Sequence, residues 1–162
     1  MSALLKPYRL KRAGIVYPVW TMRASKLSGC PLDTLCAVLT LESSGGLNVW
    51  GGDPTIFVHA GVVTEANYKA YAAVRDRTGE CQGCGPMQLT SKSLQVEADA
   101  AGGCWQPNHN LAVGAHFLAN LLAAHGGNIA EGCAAYNGTG PAAQLYGQRA
   151  LALTEHFKAV IG

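Results

Sequence analysis

The chain has 162 residues, of which 49% are hydrophobic and 14% are charged, so it can form one domain with a sizeable core and is not a disordered protein. It contains no apolar run of the roughly 18–20 residues that a membrane span needs, and we expect no insertion into a membrane. The formal net charge of +2 gives no reason to expect a nucleic-acid partner.

The charge is unevenly distributed along the chain. Six of the twelve basic residues precede Asp33, the first acidic residue. They are Lys6, Arg9, Lys11, Arg12, Arg23 and Lys26. Residues 27–162 carry six basic and ten acidic side chains, and therefore a net charge of −4. The basic segment is either a surface that contacts a polyanion or a solvated stretch, and composition alone leaves both interpretations open.

Residues 1–14, which contain Pro7, are predicted to form an irregular basic arm, and residues 15–162 are predicted to form one domain. The start of the chain resembles a signal peptide only superficially. Its apolar run, Ile15–Trp20, is very short, contains Pro18, and is not followed by a small-x-small cleavage site. We therefore expect no export signal.

The rest of the pattern is mostly helical. Apolar periodicity and capping residues predict helices over about 16–28, from Pro31 to about Gly45, and over about 64–77, 91–101, 108–126, 128–136 and 141–160. Residues 47–63 are rich in Gly, Val and aromatic residues, which fits short strands or loops. Residues 86–90 are predicted to form a short extended segment. The fold class is therefore mainly α (α+β), with a small β or loop insert on one side.

Glu42 is the first candidate for chemistry. It follows Leu35, Val38 and Leu39 at helical spacings of seven, four and three, so its carboxyl shares their apolar face near the end of the helix. Desolvation and the negative end of the helix dipole both raise the pKa of a carboxyl placed there. A carboxyl that stays protonated near neutral pH suits a general acid in glycoside cleavage. On spacing alone, a frayed helix end with this side chain in solvent is the better interpretation.

Three short motifs change that balance. Glu42–Gly46 reads Glu-Ser-Ser-Gly-Gly, Gly85–Thr90 reads Gly-Pro-Met-Gln-Leu-Thr, and Ala135–Gly140 reads Ala-Tyr-Asn-Gly-Thr-Gly. In this order and with ordinary spacing, they resemble the Glu-Ser-x-Gly, Gly-x-Met-Gln-(Leu/Ile) and Ala-Tyr-Asn-x-Gly segments of the lytic transglycosylase and goose-type lysozyme superfamily. Any one motif is weak evidence, whereas the three together are specific.

The likeness extends over about residues 30–160. The helix that contains Pro107–Leu118, and Tyr146 followed by Arg149, also fit the pattern of the superfamily. The segment 47–84 is longer than in minimal members, and in overall texture the chain looks most like a catalytic domain of a bacteriophage endolysin aimed at actinobacterial walls. This implies a lysozyme-like fold that acts as a monomer on the glycan strands of peptidoglycan. It also implies synthesis in the host cytoplasm and release to the wall through a holin pore.

The resemblance assigns a role to each motif residue. Glu42 would protonate the glycosidic oxygen between N-acetylmuramic acid and N-acetylglucosamine. It would then take the proton of the muramic C6 hydroxyl as a 1,6-anhydro sugar forms, so no second carboxylate and no cofactor are needed. The remaining assigned residues are Ser44, Met87, Gln88, Tyr136 and Asn137. Ser44 would bond the sugar or the acid, unless it only caps the helix.

The other assigned residues would line the cleft or meet the acid. Met87 would line the cleft, unless it packs in the core, and the amide of Gln88 would bind N-acetyl or hydroxyl groups. Tyr136 and Asn137 would meet Glu42 and the sugar, with the Tyr136 hydroxyl near the acid. Without the motif, Tyr136 would be interpreted as a core aromatic residue with one hydrated end.

Asp53 separates two mechanisms. It lies eleven residues after Glu42 in a Gly-Gly-Asp-Pro turn. If it faces the cleft about 6.5–9.5 Å from the acid, it could position a water for an inverting muramidase of the goose type. If it serves its own turn, which is the better interpretation for an Asp before Pro, the transglycosylase hypothesis stands. Glu65 is a weaker candidate, because it fits the first turn of a helix.

Cysteines allow further hypotheses. Cys81 and Cys84, with Cys104 and His109, can be written as a zinc site, but the spacing is arbitrary and we expect no metal. Oxidation of some of the six cysteines outside the cell also stays open, with no pairing favoured. A third class of function, a wall-binding or phage tail module without turnover, remains an alternative to the enzyme.

Overall fold

The computed structural model describes residues 5–52 and 59–162. Of these, 68% are helical, which confirms the mainly α class. The eight helices of this part of the chain are α1 (Leu5–Arg12), α2 (Pro18–Ser28), α3 (Leu32–Ser43), α4 (Glu65–Thr78), α5 (Lys92–Ala101), α6 (Pro107–Ala124), α7 (Ile129–Asn137) and α8 (Pro141–Ile161). The seven predicted helices are α2 to α8, and their ends agree with the predicted ones within a few residues.

Local capping explains where several helices begin. The Thr64 hydroxyl accepts a hydrogen bond from the backbone N–H of Asn67, and Oδ1 of Asn67 accepts one from the backbone N–H of Thr64, so the pair forms a capping box for α4. Ser91 and Asn128 cap α5 and α7 in the simpler way. Helices α2, α6 and α8 begin with proline, whose missing N–H costs nothing in the first turn.

The prediction of an irregular arm over residues 1–14 is wrong for its described part, because Leu5–Arg12 is the helix α1. Pro7 lies in the first turn, where no intrahelical hydrogen bond is lost. Leu10 is fully buried against a small cluster that includes Ile15 and Phe157, so the segment is packed onto the body. One buried leucine among basic residues is a pattern that sequence periodicity does not distinguish from a loop.

Helix α3 runs through the middle of the core. Its Leu35, Val38 and Leu39 belong to the larger hydrophobic cluster, while Cys36 and Ala37 belong to the smaller one that contains α1 residues. All five are fully buried. The helix is therefore enclosed on more than the single face that its periodicity indicates, and its C-terminal end is held firmly in place.

Helices α7 and α8 pack closely, and one glycine makes this approach possible. A Cβ at Gly147 on α8 would lie 2.1 Å from the carbonyl oxygen of Ala130 on α7, a distance that atoms do not reach. The absence of a side chain at this position lets the two helix backbones touch. The contact joins the start of α7 to the second turn of α8, where Gly147 directly follows Tyr146.

The predicted insert contains little regular β structure. Among the described residues, it is represented by isolated bridges from Val49 to Val62 and from Trp50 to Cys84, and Cys84 also bridges Leu89. Residues 85–88 form a turn between the last two partners, so the prediction of an extended segment over 86–90 is wrong for residues 86–88, whereas Leu89 takes part in a bridge. The cause is Gln88, whose φ of 47° lies in the left-handed region that residues other than glycine rarely adopt. No described helix has the length and apolar character to cross a membrane.

Candidate active site

A cleft of about 400 Å³ opens at the C-terminal end of α3. The cleft is surrounded by side chains from four helices, from the turn 85–88 and from the residues after that turn. They are Glu42, Gln88, Leu89, Thr90, Leu94, Phe117, Tyr136 and Asn137. Four of the predicted functional positions thus meet in one place, although they are up to 95 residues apart in the chain. Among the described lining residues, Glu42 supplies the one carboxyl group.

Glu42 lies in the last turn of α3 and is half-buried. Burial raises its pKa above the ordinary value of 4.5, and the hydrogen bond from Tyr146 opposes that rise. The C-terminal end of the helix dipole also disfavours the charged form. Among the described residues, the other carboxyl oxygen, Oε2, has no hydrogen-bond partner, so it is available to a bound molecule. The site therefore favours a protonated carboxyl that can give up its proton.

Tyr146 is the residue that bonds the acid. Its hydroxyl, from the second turn of α8, donates to Oε1 of Glu42 at 2.5 Å. Burial and the nearby Glu42 raise the pKa of Tyr146 far above its ordinary value of 10, so the phenol stays a donor. The motif resemblance includes Tyr146 but assigns it no role. In the sequence, Tyr146 is marked only by its place after the Ala-Tyr-Asn-Gly motif. Its contact with Glu42 depends on how α7 packs against α8.

Tyr136 lines the cleft beside Glu42, but its hydroxyl bonds a backbone oxygen instead of the carboxyl. Its hydroxyl donates to the backbone oxygen of Met87 at 2.6 Å, so the phenol that bonds the acid is that of Tyr146. Its ring packs on Phe117 with 5.5 Å between ring centroids. Burial, together with the negative charge of Glu42, raises the pKa of the Tyr136 phenol. Tyr136 therefore shapes the wall beside the acid and fixes the turn that carries Met87.

Met87 does not reach the cleft with its side chain. It is fully buried, and a Cβ on Gly114 of α6 would lie 2.4 Å from the Cβ of Met87, which shows how closely the turn and the helix pack. Its backbone N–H donates to Oδ1 of Asn110 at 2.9 Å. The predicted alternative of core packing describes Met87, and the substrate-contact role does not.

Gln88 lines the cleft, but its amide donors are already used. The side-chain nitrogen, Nε2, donates to the carbonyl oxygen of Val49 at 3.0 Å and to that of Gly85 at 2.9 Å. These bonds attach the turn 85–88 to the segment after α3. The predicted donation from this amide to an N-acetyl or hydroxyl group would require one of them to break.

Ser44 and Asn137 end their helices at the two sides of the site. Ser44 is exposed and adopts a left-handed conformation with φ 54°, which is the helix-cap geometry predicted as its alternative role. The neighbouring Ser43 is buried, and its hydroxyl donates to the carbonyl oxygen of Pro86 at 2.6 Å, tying α3 to the turn. Asn137, the last residue of α7, is exposed and lines the cleft as predicted.

The remaining acidic candidates do not join Glu42 in the described part of the chain. Asp53 lies outside the described residues. Glu65 stands in the first turn of α4, as predicted, and pairs with Lys69 at 2.6 Å on an exposed surface. Among the described residues that line the cleft, Glu42 therefore has no second carboxyl beside it.

The structure also bears on the zinc hypothesis and contains a second groove. Within residues 5–52 and 59–162, no group of three or more possible metal ligands occurs, and the suggested zinc set does not assemble there. A groove of about 540 Å³ lies between α2 and α6 and is lined by residues such as Trp20, Arg23 and His109. Its described lining contains no carboxyl, in contrast to the cleft that contains Glu42.

Comparisons with protein-family models, with curated proteins and with solved structures find no match to this chain. The three motifs therefore remain a resemblance.

Proposed function

We propose that the protein is a peptidoglycan-cleaving enzyme with a lysozyme-like fold, and that it acts as a monomer on the β-1,4 bond between N-acetylmuramic acid and N-acetylglucosamine. The observation that carries the proposal is the carboxyl of Glu42, which is half-buried in a cleft, raised in pKa and bonded by the Tyr146 hydroxyl. The motif resemblance supplies the substrate class, and it favours the catalytic domain of a phage endolysin.

The chemistry follows from one group that changes its protonation state. Neutral Glu42 donates its proton to the glycosidic oxygen as the bond to C1 of the muramic residue breaks. The resulting carboxylate is stabilised by the Tyr146 hydroxyl, because a hydrogen bond to an ionised acceptor is stronger than one to a neutral acceptor. The carboxylate then takes the proton of the C6 hydroxyl, whose oxygen closes onto C1. The product is a 1,6-anhydro sugar, and Glu42 is again neutral.

Glu42→Gln tests the proposed acid directly. Glu42→Gln keeps the shape of the side chain but removes the transferable proton, so we expect the clearing of purified cell walls to slow by about 100-fold or more. Turbidity at constant protein concentration measures it. The matched control is Glu65→Gln, an exposed carboxyl outside the cleft, which should clear walls at the wild-type rate. Undiminished clearing by Glu42→Gln would exclude this mechanism.

Product mass separates this mechanism from hydrolysis. A transglycosylase releases anhydro-muropeptides, which are lighter by one water than the products of a muramidase. Mass spectrometry of the products from wild type and from Asp53→Asn tests both mechanisms. If Asp53 positions a water, the wild type releases hydrolytic products and the variant does not. Binding to glycan strands without any cleavage would favour a wall-binding or phage tail module instead.

A further inference from the structure

Two buried thiols face each other next to the cleft. The Sγ atoms of Cys84 and Cys104 are 3.7 Å apart, and both residues are fully buried. Cys84 begins the turn that carries Met87 and Gln88, and Cys104 stands between α5 and α6. A disulfide requires the two sulfur atoms to be about 2.05 Å apart, so they need to approach by less than 2 Å.

The surroundings of the pair favour ionisation of Cys104 over ionisation of Cys84. Asn110 donates to Sγ of Cys104 at 3.4 Å, and Gln95 donates to Sγ of Cys84 at 3.8 Å. The hydrogen bond from the Cys84 thiol, against the effect of burial and with help from Asn110, lowers the pKa of Cys104 below its ordinary value of 9. The pKa of Cys84 is raised correspondingly. A thiolate held beside a thiol is the arrangement from which disulfide exchange starts.

The other cysteines lack this arrangement. Burial raises the pKa of Cys30, Cys36 and Cys133 to about 12, which keeps these thiols protonated and unreactive. Cys81 is partly exposed, and its thiol donates weakly to the carbonyl oxygen of Gly79 at 3.9 Å. The Cys81-x-x-Cys84 spacing in the sequence suggests a pair, whereas in the fold the sulfur next to Cys84 is that of Cys104.

We propose that Cys84 and Cys104 are a cross-linking site that becomes a disulfide when the protein folds or locally opens in an oxidising environment. With a low-molecular-weight disulfide as oxidant, the Cys104 thiolate attacks one of its sulfur atoms, forms a mixed disulfide and releases one thiol. Cys84 then attacks Sγ of Cys104 and releases the second thiol. Two protein thiols are oxidised and one small disulfide is reduced, with no net change in protons.

The bond would staple the cleft wall to the core. At present the turn is attached to the start of α6 by Asn110, whose side-chain nitrogen donates to the carbonyl oxygen of Cys84 at 3.0 Å and whose Oδ1 accepts from the N–H of Met87. A covalent link between Cys84 and Cys104 would restrain the same turn in the unfolded chain as well. The gain in stability therefore comes mainly from closing a loop of about 20 residues.

The test uses the intact chain and does not depend on the proposed activity. The protein is refolded, and in parallel incubated folded, with a mixture of oxidised and reduced glutathione. We expect a non-reduced peptide that links Cys84 with Cys104, four remaining titratable thiols, and a thermal midpoint about 6–12 °C above that of the dithiothreitol-treated protein. Peptide mapping of the wild type needs no variant, so a misfolded variant does not obscure the result.

Matched variants assign the shift. Cys84→Ser and Cys104→Ser should each abolish the reducible rise in midpoint, whereas Cys81→Ser should keep it. A linked peptide containing Cys81 and Cys84, six titratable thiols after refolding in glutathione, or a reducible rise that persists in Cys104→Ser would each overturn the proposal.

Discussion

The pKa of Glu42 is set by two opposed influences that come from different parts of the chain. Burial at the end of α3 raises it, and the hydroxyl of Tyr146, 104 residues later, lowers it. A general acid needs both, because a carboxyl that is only buried holds its proton too tightly to transfer it. In the proposed mechanism, the Tyr146 hydrogen bond stabilises the charged form of Glu42 that follows proton donation.

Tyr146→Phe tests this balance directly. Removing the hydroxyl eliminates the influence that lowers the pKa of Glu42, so the pKa rises and the acid stays protonated to higher pH. We expect the alkaline limb of kcat/KM to move to higher pH while the maximal rate falls by about 10-fold or more, because the carboxylate loses a charge-assisted hydrogen bond. Rates of wall clearing across pH measure both effects.

Tyr136→Phe is the control for that shift. Its hydroxyl bonds the Met87 carbonyl oxygen, so its loss should cost about 1–3 kcal/mol of stability without moving the alkaline limb. An alkaline limb that moves to lower pH in Tyr146→Phe would contradict the assigned role.

The same pKa shift predicts a pH-dependent stability that is independent of activity. A carboxyl whose pKa is higher in the folded than in the unfolded chain contributes stability at low pH, and this contribution is lost as pH rises from 4.5 through the raised folded pKa. Over that window the free energy of unfolding of the wild type should fall relative to Glu42→Gln, by at most about 1.4 kcal/mol per pH unit. Urea unfolding at a series of pH values measures it, and a constant difference would refute it. Glu65→Gln should show no such trend.

Four of the residues named from the motifs line one cleft in the fold, but several of their predicted contacts differ. Glu42 and Asn137 are where their motifs place them. Tyr136 and Gln88 also line the cleft, yet their polar groups are occupied by backbone partners. Which hydroxyl reaches the acid depends on how two helices pack, and one-dimensional spacing contains no such information. Met87 could have been assigned to the core from its apolar character alone, as the alternative interpretation had it.

At the scale of elements, helices were predictable and the segments between them were not. Capping residues and prolines define the starts of α2 and α4 to α8 locally, so the sequence shows them. The turn 85–88 depends instead on distant partners, since Gln88 holds its left-handed backbone with bonds to Val49 and Gly85, and Pro86 accepts a bond from Ser43. The sequence predicts an extended conformation for this segment, and these long-range bonds hold it in a turn instead.

The contact between α7 and α8 can be tested at Gly147. Gly147→Ala would place a methyl group 2.1 Å from the Ala130 carbonyl oxygen, so the helices must separate. We expect a loss of about 1–3 kcal/mol in the free energy of unfolding, measured by urea denaturation. Because separation moves Tyr146 relative to Glu42, wall clearing should fall as well.

Gln144→Ala provides the comparison for that variant, since it changes an exposed residue of the same helix and should be nearly neutral. Equal stability of the two variants would show that the helices do not need this glycine.

At the scale of the whole molecule, the basic N-terminal segment is part of the folded body. Helix α1 carries four of the six early basic residues, and Leu10 anchors it on the smaller cluster with Phe157 of α8. The basic side chains of α1 are therefore presented from a fixed surface. This arrangement is compatible both with contact to a polyanion and with a solvated surface. The first and last helices of the chain meet at this cluster.

Leu10→Ala measures how much this anchoring contributes. The side chain is fully buried, so its truncation should lower the free energy of unfolding by about 2–4 kcal/mol through lost burial and the cavity left behind. Leu5→Ala on the same helix is the matched control, because Leu5 is 47% exposed and its loss should cost less than about 0.5 kcal/mol. Chemical denaturation of both variants is sufficient. A neutral Leu10→Ala would mean that α1 is docked without stabilising the fold.

The enclosure of α3 has a further consequence for how the molecule fluctuates. Because this helix contributes side chains to both hydrophobic clusters, neither cluster can open without exposing part of it. Its backbone amides should exchange their hydrogens with solvent only when the entire domain unfolds, whereas amides near the exposed ends of α7 can exchange through local opening. The carboxyl that is proposed to transfer protons thus lies on the helix whose amides are expected to be among the best protected from exchange.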